Sequence, residues 1–384
     1  PLAGVESELA ELWQDLLGVK RVGRQDNFFE LGGDSILSLQ IVSRAKKRGI
    51  QLTPRQMFER QTIAELAQVA QVLDRDKAAA QVRIEFNRDI PLMPIQHGFF
   101  EQPMRRRSHW NQSLLLTPSE ALETPALIRA LHALVNHHDA LRMTFVQQDN
   151  GQWQQRYRSE VHPVDAADGL LWRREVSTDD LAAACNEAQA SLDLKDGPLL
   201  RAVHFTLADG GERLLLVVHH LVVDGVSWRI LLEDLHNAYA QAQSGLRVDL
   251  GEKGLPFQRW AHRLLDFAYS DALLAEADYW RRLPSAPPLP VARPDAKALQ
   301  ASVQQLHLQL DTVCSQALLS EAPAAYRTQI NDLLLTALTR AITQWSGESR
   351  ALIALEGHGR EDLFEGLDPS RTVGWFTSLY PVSL

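Results

Sequence analysis

The sequence predicts an α+β protein in which a small helical domain precedes a larger domain of mixed helices and strands. Over the first 73 residues, apolar side chains recur at three- and four-residue steps, which is the spacing of amphipathic helices. From about Arg83 the pattern changes, because short apolar runs alternate with turn sequences such as Asp149-Asn150-Gly151. The length of 384 residues predicts two or three domains.

Composition narrows the class of protein. A net charge of −9 without a long lysine and arginine block argues against a nucleic-acid partner. The two cysteines, Cys185 and Cys314, lack metal-ligand spacing, so we expect no metal site and a reducing, cytoplasmic setting. Apolar runs of membrane-spanning length and a signal-peptide pattern are absent, so no membrane partner is expected. Because the chain starts at Pro1 without methionine, we interpret it as a piece of a longer polypeptide.

The predicted helical domain, residues 1–76, has three long helices and one short helix. The first helix has an apolar stripe and ends at Gly18, and the second begins near Ser35 and ends in a cluster of cations. Thr53-Pro54 opens the short helix. A capping-box sequence at Thr62 opens the last helix, which we expect to continue to Leu73.

Ser35 lies at the predicted start of the second helix and has two interpretations. It is either an ordinary N-cap serine or a hydroxyl held at the surface for modification, next to the glycine pair Gly32-Gly33. Taken alone, the residue favours the N-cap.

The surrounding run favours modification. Residues 26–36, Asp-Asn-Phe-Phe-Glu-Leu-Gly-Gly-Asp-Ser-Ile, resemble the signature of peptidyl carrier proteins from nonribosomal peptide synthetases. The resemblance covers nearly all of residues 5–73. It implies that Ser35, with Asp34 beside it in the cofactor site, carries a 4′-phosphopantetheine arm whose thiol holds an amino acid or peptide as a thioester. It also implies a phosphopantetheinyl transferase and an upstream adenylation domain as partners.

Residues 77–88 are interpreted as a linker, because this stretch lacks an apolar face, and residues 89–384 as the larger domain. We expect its N-terminal lobe over about 89–285 and the start of a C-terminal lobe over about 295–384. The patterns predict two hairpins, three helices and a buried strand, in chain order: 124–135 (helix), 141–147 with 152–157, 200–207 with 213–218, 228–243 (helix), 330–345 (helix) and 352–355 (strand).

A histidine motif follows the apolar run Leu214–Val218: His219-His220-Leu-Val-Val-Asp224-Gly225. Adjacent strand residues point to opposite faces, so we expect one histidine to face a channel and the other to pack inside, which also argues against shared zinc binding. Asp224 either acts on the substrate or fixes the loop through a buried ion pair. We favour the pair, with Arg142 as the predicted cation. Gly225 is expected to permit a tight turn or close approach of the carrier arm.

This motif resembles that of the condensation-domain superfamily, whose two-lobed α/β fold is shared with chloramphenicol acetyltransferase. Three further runs resemble those of epimerization domains: Asp224–Leu231, Glu356–Glu361 and Arg371–Pro381. Carried over by position, the resemblance implies His220 and Glu356 as the catalytic pair, with Glu356 favoured over Glu361. It implies supporting roles for His219, Asp224, Gly225 and Arg142. The family pattern continues beyond Leu384, so we expect the second lobe to be incomplete.

The implied activity is L-to-D epimerization at the α-carbon of a thioester held by the carrier, which would dock on the epimerase and deliver product to the condensation domain of the next module. Whether one base or two act stays open. Two alternatives remain: an amide-forming condensation domain, and a non-catalytic carrier or docking module.

Overall fold

The computed structural model describes residues 1–72, 89–158, 162–164, 169–283, 286–287, 289–290, 303–326 and 328–384. The predicted linker, 77–88, and most of the boundary between the predicted lobes lie outside the described residues. The chain forms two compact units. The first comprises Pro1–Ala78, Ala275–Glu356 and Leu379–Leu384, and the second comprises Ala79–Leu274 and Gly357–Ser378. The predicted domain boundaries stay predictions.

The N-terminal part of the first unit is a small helical bundle with a two-stranded sheet. Its elements are α1 (Val5–Leu17), α2 (Ser35–Lys47), β1 (Ile50–Gln51), α3 (Pro54–Glu59), α4 (Ile63–Val69) and β2 (Gln71–Val72). The prediction that the last helix reaches Leu73 is wrong. The chain becomes extended at Ala70, and Gln71 and Val72 pair with β1, which satisfies their backbone groups outside a helix.

An aromatic pair anchors the long loop between α1 and α2. Phe28 is fully buried, its ring lies 4.9 Å from that of Trp13, and its backbone N–H donates to the carbonyl of Gln61 at 2.9 Å. The loop is therefore fixed to the core just before α2 begins.

The second unit contains six strands in two sheets: β3 (Asn111–Leu116), β4 (Met143–Gln147), β5 (Trp153–Tyr157), β6 (Leu171–Val176), β7 (Leu200–Leu207) and β8 (Glu212–His219). The larger sheet has the order β3-β8-β7-β6, with β6 and β7 parallel and the other pairs antiparallel. The two predicted hairpins are confirmed as β4–β5 and β7–β8. β8 is buried along most of its length, as expected for the apolar run that precedes the histidines.

The second unit also contains six α-helices: α5 (Pro94–Glu101), α6 (Thr124–His137), α7 (Leu181–Ala190), α8 (Gly225–Gln243), α9 (Phe257–Ala268) and α10 (Asp271–Leu274). Short 3₁₀ turns cover Arg107–His109, Asp139–Arg142 and His220–Val222. α8 begins three residues before the predicted Trp228, because the side chain of Asp224 caps it. Together with the first unit, these elements confirm the α+β class.

The rest of the first unit consists of α11 (Ala277–Arg281), α12 (Thr312–Gln316), a π-helical turn (Ala317–Glu321), α13 (Ala322–Tyr326), α14 (Ile330–Ser346), β9 (Leu352–Gly357) and β10 (Ser378–Ser383). β9 pairs with β10. The strand predicted at 352–355 is confirmed, but its predicted burial is wrong, because Leu352 is 47% exposed and exposed residues alternate with half-buried ones.

Candidate active site

Ser35 is the first residue of α2, and Asp34 is the N-cap. The Asp34 carboxylate accepts a hydrogen bond from the backbone N–H of Leu37 at 2.7 Å. The ordinary N-cap interpretation of Ser35 is therefore wrong, since its neighbour does the capping. The Ser35 side chain is half-buried at the positive end of a 13-residue helix.

Gly33 shows why the loop before Ser35 needs a glycine. A Cβ on this residue would overlap the Phe28 ring and lie 2.6 Å from the Phe28 carbonyl oxygen, and the backbone N–H of Gly33 donates to that oxygen at 2.9 Å. The glycine thus lets the loop lie directly on the core and fixes where α2 starts. A partly exposed primary hydroxyl at a helix N-terminus suits the phosphodiester of 4′-phosphopantetheine.

His219 is the histidine that packs inside. It ends β8, is fully buried, and lies with Nε2 2.7 Å from the Arg107 carbonyl oxygen. A carbonyl only accepts, so Nε2 carries the proton, while Nδ1 accepts from the backbone N–H of Leu221 at 3.1 Å. Burial lowers the pKa of His219 to about 4, against the opposing effect of the Arg107 hydrogen bond. His219 is a neutral residue with both ring nitrogens engaged.

His220 takes the opposite tautomer and is half-buried. Its Nδ1 lies 2.8 Å from the Val223 carbonyl oxygen, so Nδ1 carries the proton and Nε2 has a lone pair. The Trp375 ring lies against the imidazole, with the ring centroids 4.3 Å apart. The choice that the sequence left open is thereby made: His219 packs, and His220 presents a basic nitrogen.

Asp224 forms the buried ion pair that was predicted, but with a different cation. Both Asp224 carboxylate oxygens accept from Nη2 of Arg360 at 3.0 Å, and Oδ1 also caps α8 through the backbone N–H of Ser227 at 2.7 Å. The predicted partner, Arg142, lies in a 3₁₀ turn and donates to Asp139 at 2.5 Å, three residues away. Local pairing within the turn engages Arg142, so the pairing predicted for it is wrong.

Arg360 ties the segment 357–378 to the start of α8. It is fully buried, and Nη1 donates to the carbonyls of Pro369 at 2.7 Å and Thr372 at 2.6 Å. Burial lowers the pKa of its guanidinium, and the Asp224 carboxylate opposes this shift. Sequence reasoning missed this role, although the run Glu356–Glu361 contains the arginine beside a glycine.

The same network places Trp375 beside His220. The Ser227 hydroxyl donates to the Gly374 carbonyl at 2.9 Å, and the backbone N–H of Phe376 donates to Asp224 at 3.1 Å. Trp375 lies between these two anchored residues and is only 7% exposed. Asp224 therefore acts on His220 through the backbone that carries Trp375.

Gly225 is the first residue of α8 and does not have a positive φ. The tight-turn explanation is therefore wrong. Within the described part of the chain, nothing lies within 4 Å of where its Cβ would stand, which leaves the space beside the helix start open. Close approach of a substrate arm stays a prediction.

The two candidate glutamates lie in different units. Glu356 is an exposed residue of β9 in the first unit. Glu361 belongs to the second unit, where its carboxylate lies 3.6 Å from Nδ1 of His358. The catalytic role of either residue stays a prediction.

One cluster has the composition of a metal site: ligand atoms of His137, His138 and Asp234 lie within 4.8 Å of one another. Both Asp234 oxygens already have partners, since Nε2 of His138 lies 2.8 Å from Oδ2 and the Arg371 guanidinium 2.5 Å from Oδ1. The cluster is therefore a buried charge network. None of the helices in the described ranges has the length and apolarity needed to cross a bilayer.

Family models match both parts of the chain. A phosphopantetheine attachment site matches residues 7–70, and a condensation domain matches residues 87–384. The chain is similar to one of the linear gramicidin synthase proteins of Brevibacillus parabrevis, with 47% identity over 393 aligned residues. It is also 44% identical over 386 residues to chondramide synthase cmdD of Chondromyces crocatus. All of the chain aligns with the first and 99% with the second, but it spans only 7% and 10% of their lengths.

Solved structures give the same assignment. The epimerization domain from the third module of tyrocidine synthetase B has a TM-score of 0.73 and 36% identity, covering 80% of this chain and 70% of that one. The first condensation domain of the calcium-dependent antibiotic synthetase has a TM-score of 0.60 and 20% identity, covering 77% and 68%. The chain belongs to the condensation-domain family and carries, at its N-terminus, an attachment domain whose cofactor is 4′-phosphopantetheine on Ser35.

Proposed function

We propose that the larger domain epimerizes the α-carbon of an aminoacyl or peptidyl thioester carried on Ser35, from L to D, in nonribosomal peptide synthesis. The observation that carries the proposal is the 36% identity with an epimerization domain over 80% of the chain. The geometry of His220 supports it, because this residue offers an unprotonated Nε2 where the reaction needs a base.

The chemistry requires removal of one proton and return of another. A thioester acidifies its α-hydrogen, because the resulting charge delocalises into an enolate. Nε2 of His220 takes the α-hydrogen, and the electron pair of the C–H bond moves into the enolate. Proton delivery to the opposite face of the planar carbon inverts the centre, and we assign this delivery to Glu356.

The cofactor supplies a long flexible tether and a thiol for the thioester. The chain itself contributes the attachment point, Ser35, which Asp34 and Gly33 fix at the start of α2. As partners we propose a phosphopantetheinyl transferase, an upstream adenylation domain, the chain's own carrier docking on the epimerase, and the condensation domain of the next module. A cytoplasmic location fits these partners.

The test loads the phosphopantetheinylated protein with an L-aminoacyl group, hydrolyses the thioester and measures chirality, with α-hydrogen exchange in deuterated water as a second readout. We expect a D/L mixture and exchange. His220→Ala should load normally and lose about 10²- to 10⁴-fold in exchange, the usual contribution of a general acid or base. Ser35→Ala should not load.

Matched glutamate variants decide the second residue. Glu356→Gln should abolish inversion, whereas Glu361→Gln should retain it. The opposite result moves the role to Glu361. Amide product from an added acceptor, without inversion, would show a condensation domain, and unchanged cargo on a folded protein would show a non-catalytic docking module. Undiminished D-product from His220→Ala would refute the assignment of His220.

A further inference from the structure

Gln112 contacts the basic nitrogen of His220 from the neighbouring strand. In the β3–β8 register Gln112 stands opposite Val218, two residues before His220. Its side chain spans two residues: Oε1 accepts from Nε1 of Trp228 at 2.8 Å, and Nε2 lies 3.1 Å from Nε2 of His220. Trp228 is on the first turn of α8, so three elements meet at this amide.

The chemistry of the partners fixes which way the amide points. An indole N–H only donates, so the Gln112 oxygen has to face Trp228 and the NH₂ group has to face His220. On the other side of the imidazole, the Val223 carbonyl only accepts and requires the proton on Nδ1. Both contacts therefore favour the neutral Nδ1–H form of His220. A proton on Nε2 would oppose two donors.

We propose that Gln112, oriented by Trp228, is a positioning residue that keeps His220 in the neutral Nδ1–H tautomer with Nε2 as the base. The inference rests on the proposed function and specifies how its base is prepared. In the reaction, the substrate displaces the amide from Nε2, and the α-hydrogen moves to Nε2 as the C–H electron pair enters the enolate. The returning amide then opposes the imidazolium, which favours loss of that proton.

The other titratable groups around His220 come from three elements. His219 precedes it on β8 and is neutral, while Asp224 at the start of α8 is paired with Arg360. His358 and Glu361 lie on the segment 357–378 and contact each other at 3.6 Å. A change confined to Gln112 leaves all of these groups in place.

The decisive variant is Gln112→Glu, which has nearly the same shape but only accepts at the position facing His220. The carboxylate stabilises the imidazolium, so nitrogen-15 spectra of His220 at pH 7 should change from the neutral Nδ1–H pattern to the doubly protonated one. Exchange of the α-hydrogen at pH 7 should fall by at least about tenfold and recover at higher pH. Trp228→Phe releases the amide to turn over and should give a smaller change in the same direction.

Gln189→Glu is the matched control. Gln189 donates to the Ser113 hydroxyl of β3 at 3.0 Å, so the variant adds the same charge beside the same strand, and it should keep wild-type spectra and exchange. The inference is overturned if Gln112→Glu leaves the His220 spectrum and the pH profile as in the wild type. If the loaded wild-type protein exchanges no α-hydrogen, the proposed function fails, while the nitrogen spectra still decide whether Gln112 controls the protonation of His220.

Discussion

Arg360 is a buried cation whose charge is balanced by Asp224. Its side chain is fully buried, and its guanidinium also lies 4.0 Å from the centre of the Phe376 ring. A buried ion pair adds little net stability over a well-packed apolar pair, but loss of one partner leaves an uncompensated charge. The pair therefore makes the segment 357–378 dependent on the residue that caps α8.

We expect Asp224→Ala to lower the free energy of unfolding by about 3–5 kcal/mol, because Arg360 would stay buried without its counter-charge. The double variant Asp224→Ala/Arg360→Met should recover part of this loss, since both charges are then gone. Urea unfolding of the single and double variants measures the coupling. Strictly additive losses would contradict the idea that the two charges depend on each other.

The sequence predicted the kind of interaction at Asp224 but not its partner. A buried aspartate requires a cation, and this follows from electrostatics alone. The choice between Arg142 and Arg360 depends on contacts across more than a hundred residues, and local pairing of Arg142 with Asp139 removed the nearer candidate. Gln112 was missed for the same reason, because strand register brings it to His220.

At the scale of elements, the segment 357–378 depends on one glycine. Gly359 has φ of +66°, in the left-handed region, and a Cβ there would overlap the carbonyl oxygen of Phe376. Gly366 has a similar φ of +73°, but the space around its Cβ position is open within the described residues. The two glycines separate backbone strain from close contact.

Gly366→Ala should cost about 1 kcal/mol, from the left-handed backbone alone. Gly359→Ala should cost clearly more than that, because the segment must also move away from Phe376, and Trp375 would shift from His220. Thermal unfolding compares the two variants, and tryptophan fluorescence reports on Trp375. Equal losses from both variants would show that the Phe376 contact is unimportant.

Element predictions succeeded where periodicity and capping agree, and failed where distant pairing decides. Asn150-Gly151 and Gly210-Gly211 placed both hairpins, and the proline and capping signals of Thr53 and Thr62 placed α3 and α4. The end of α4 was missed because the pairing of β2 with β1 is not visible in a local pattern. The exposure of β9 was missed because an apolar run does not show what covers it.

At the scale of the whole molecule, two neutral histidines link stability to pH. Burial lowers the pKa of both His219 and His137 from 6.5 to about 4. Between these values the folded protein binds fewer protons than the unfolded chain, so acid favours unfolding. The contribution of each histidine is fully present above pH 6.5 and is lost as the pH falls through about 4. His137 is partly exposed, so solvent screening reduces its share.

We therefore expect the free energy of unfolding to fall by about 2 kcal/mol through His219 alone between pH 7.5 and pH 5. This window lies above the range where carboxylates titrate, which isolates the histidines. His219→Gln removes the titration but keeps an N–H that reaches the Arg107 carbonyl, so the variant should show a flatter pH dependence in urea unfolding. His132→Gln, at an exposed histidine of α6, serves as the control and should keep the wild-type slope. A wild-type slope in His219→Gln would show that the buried imidazole does not link folding to protonation.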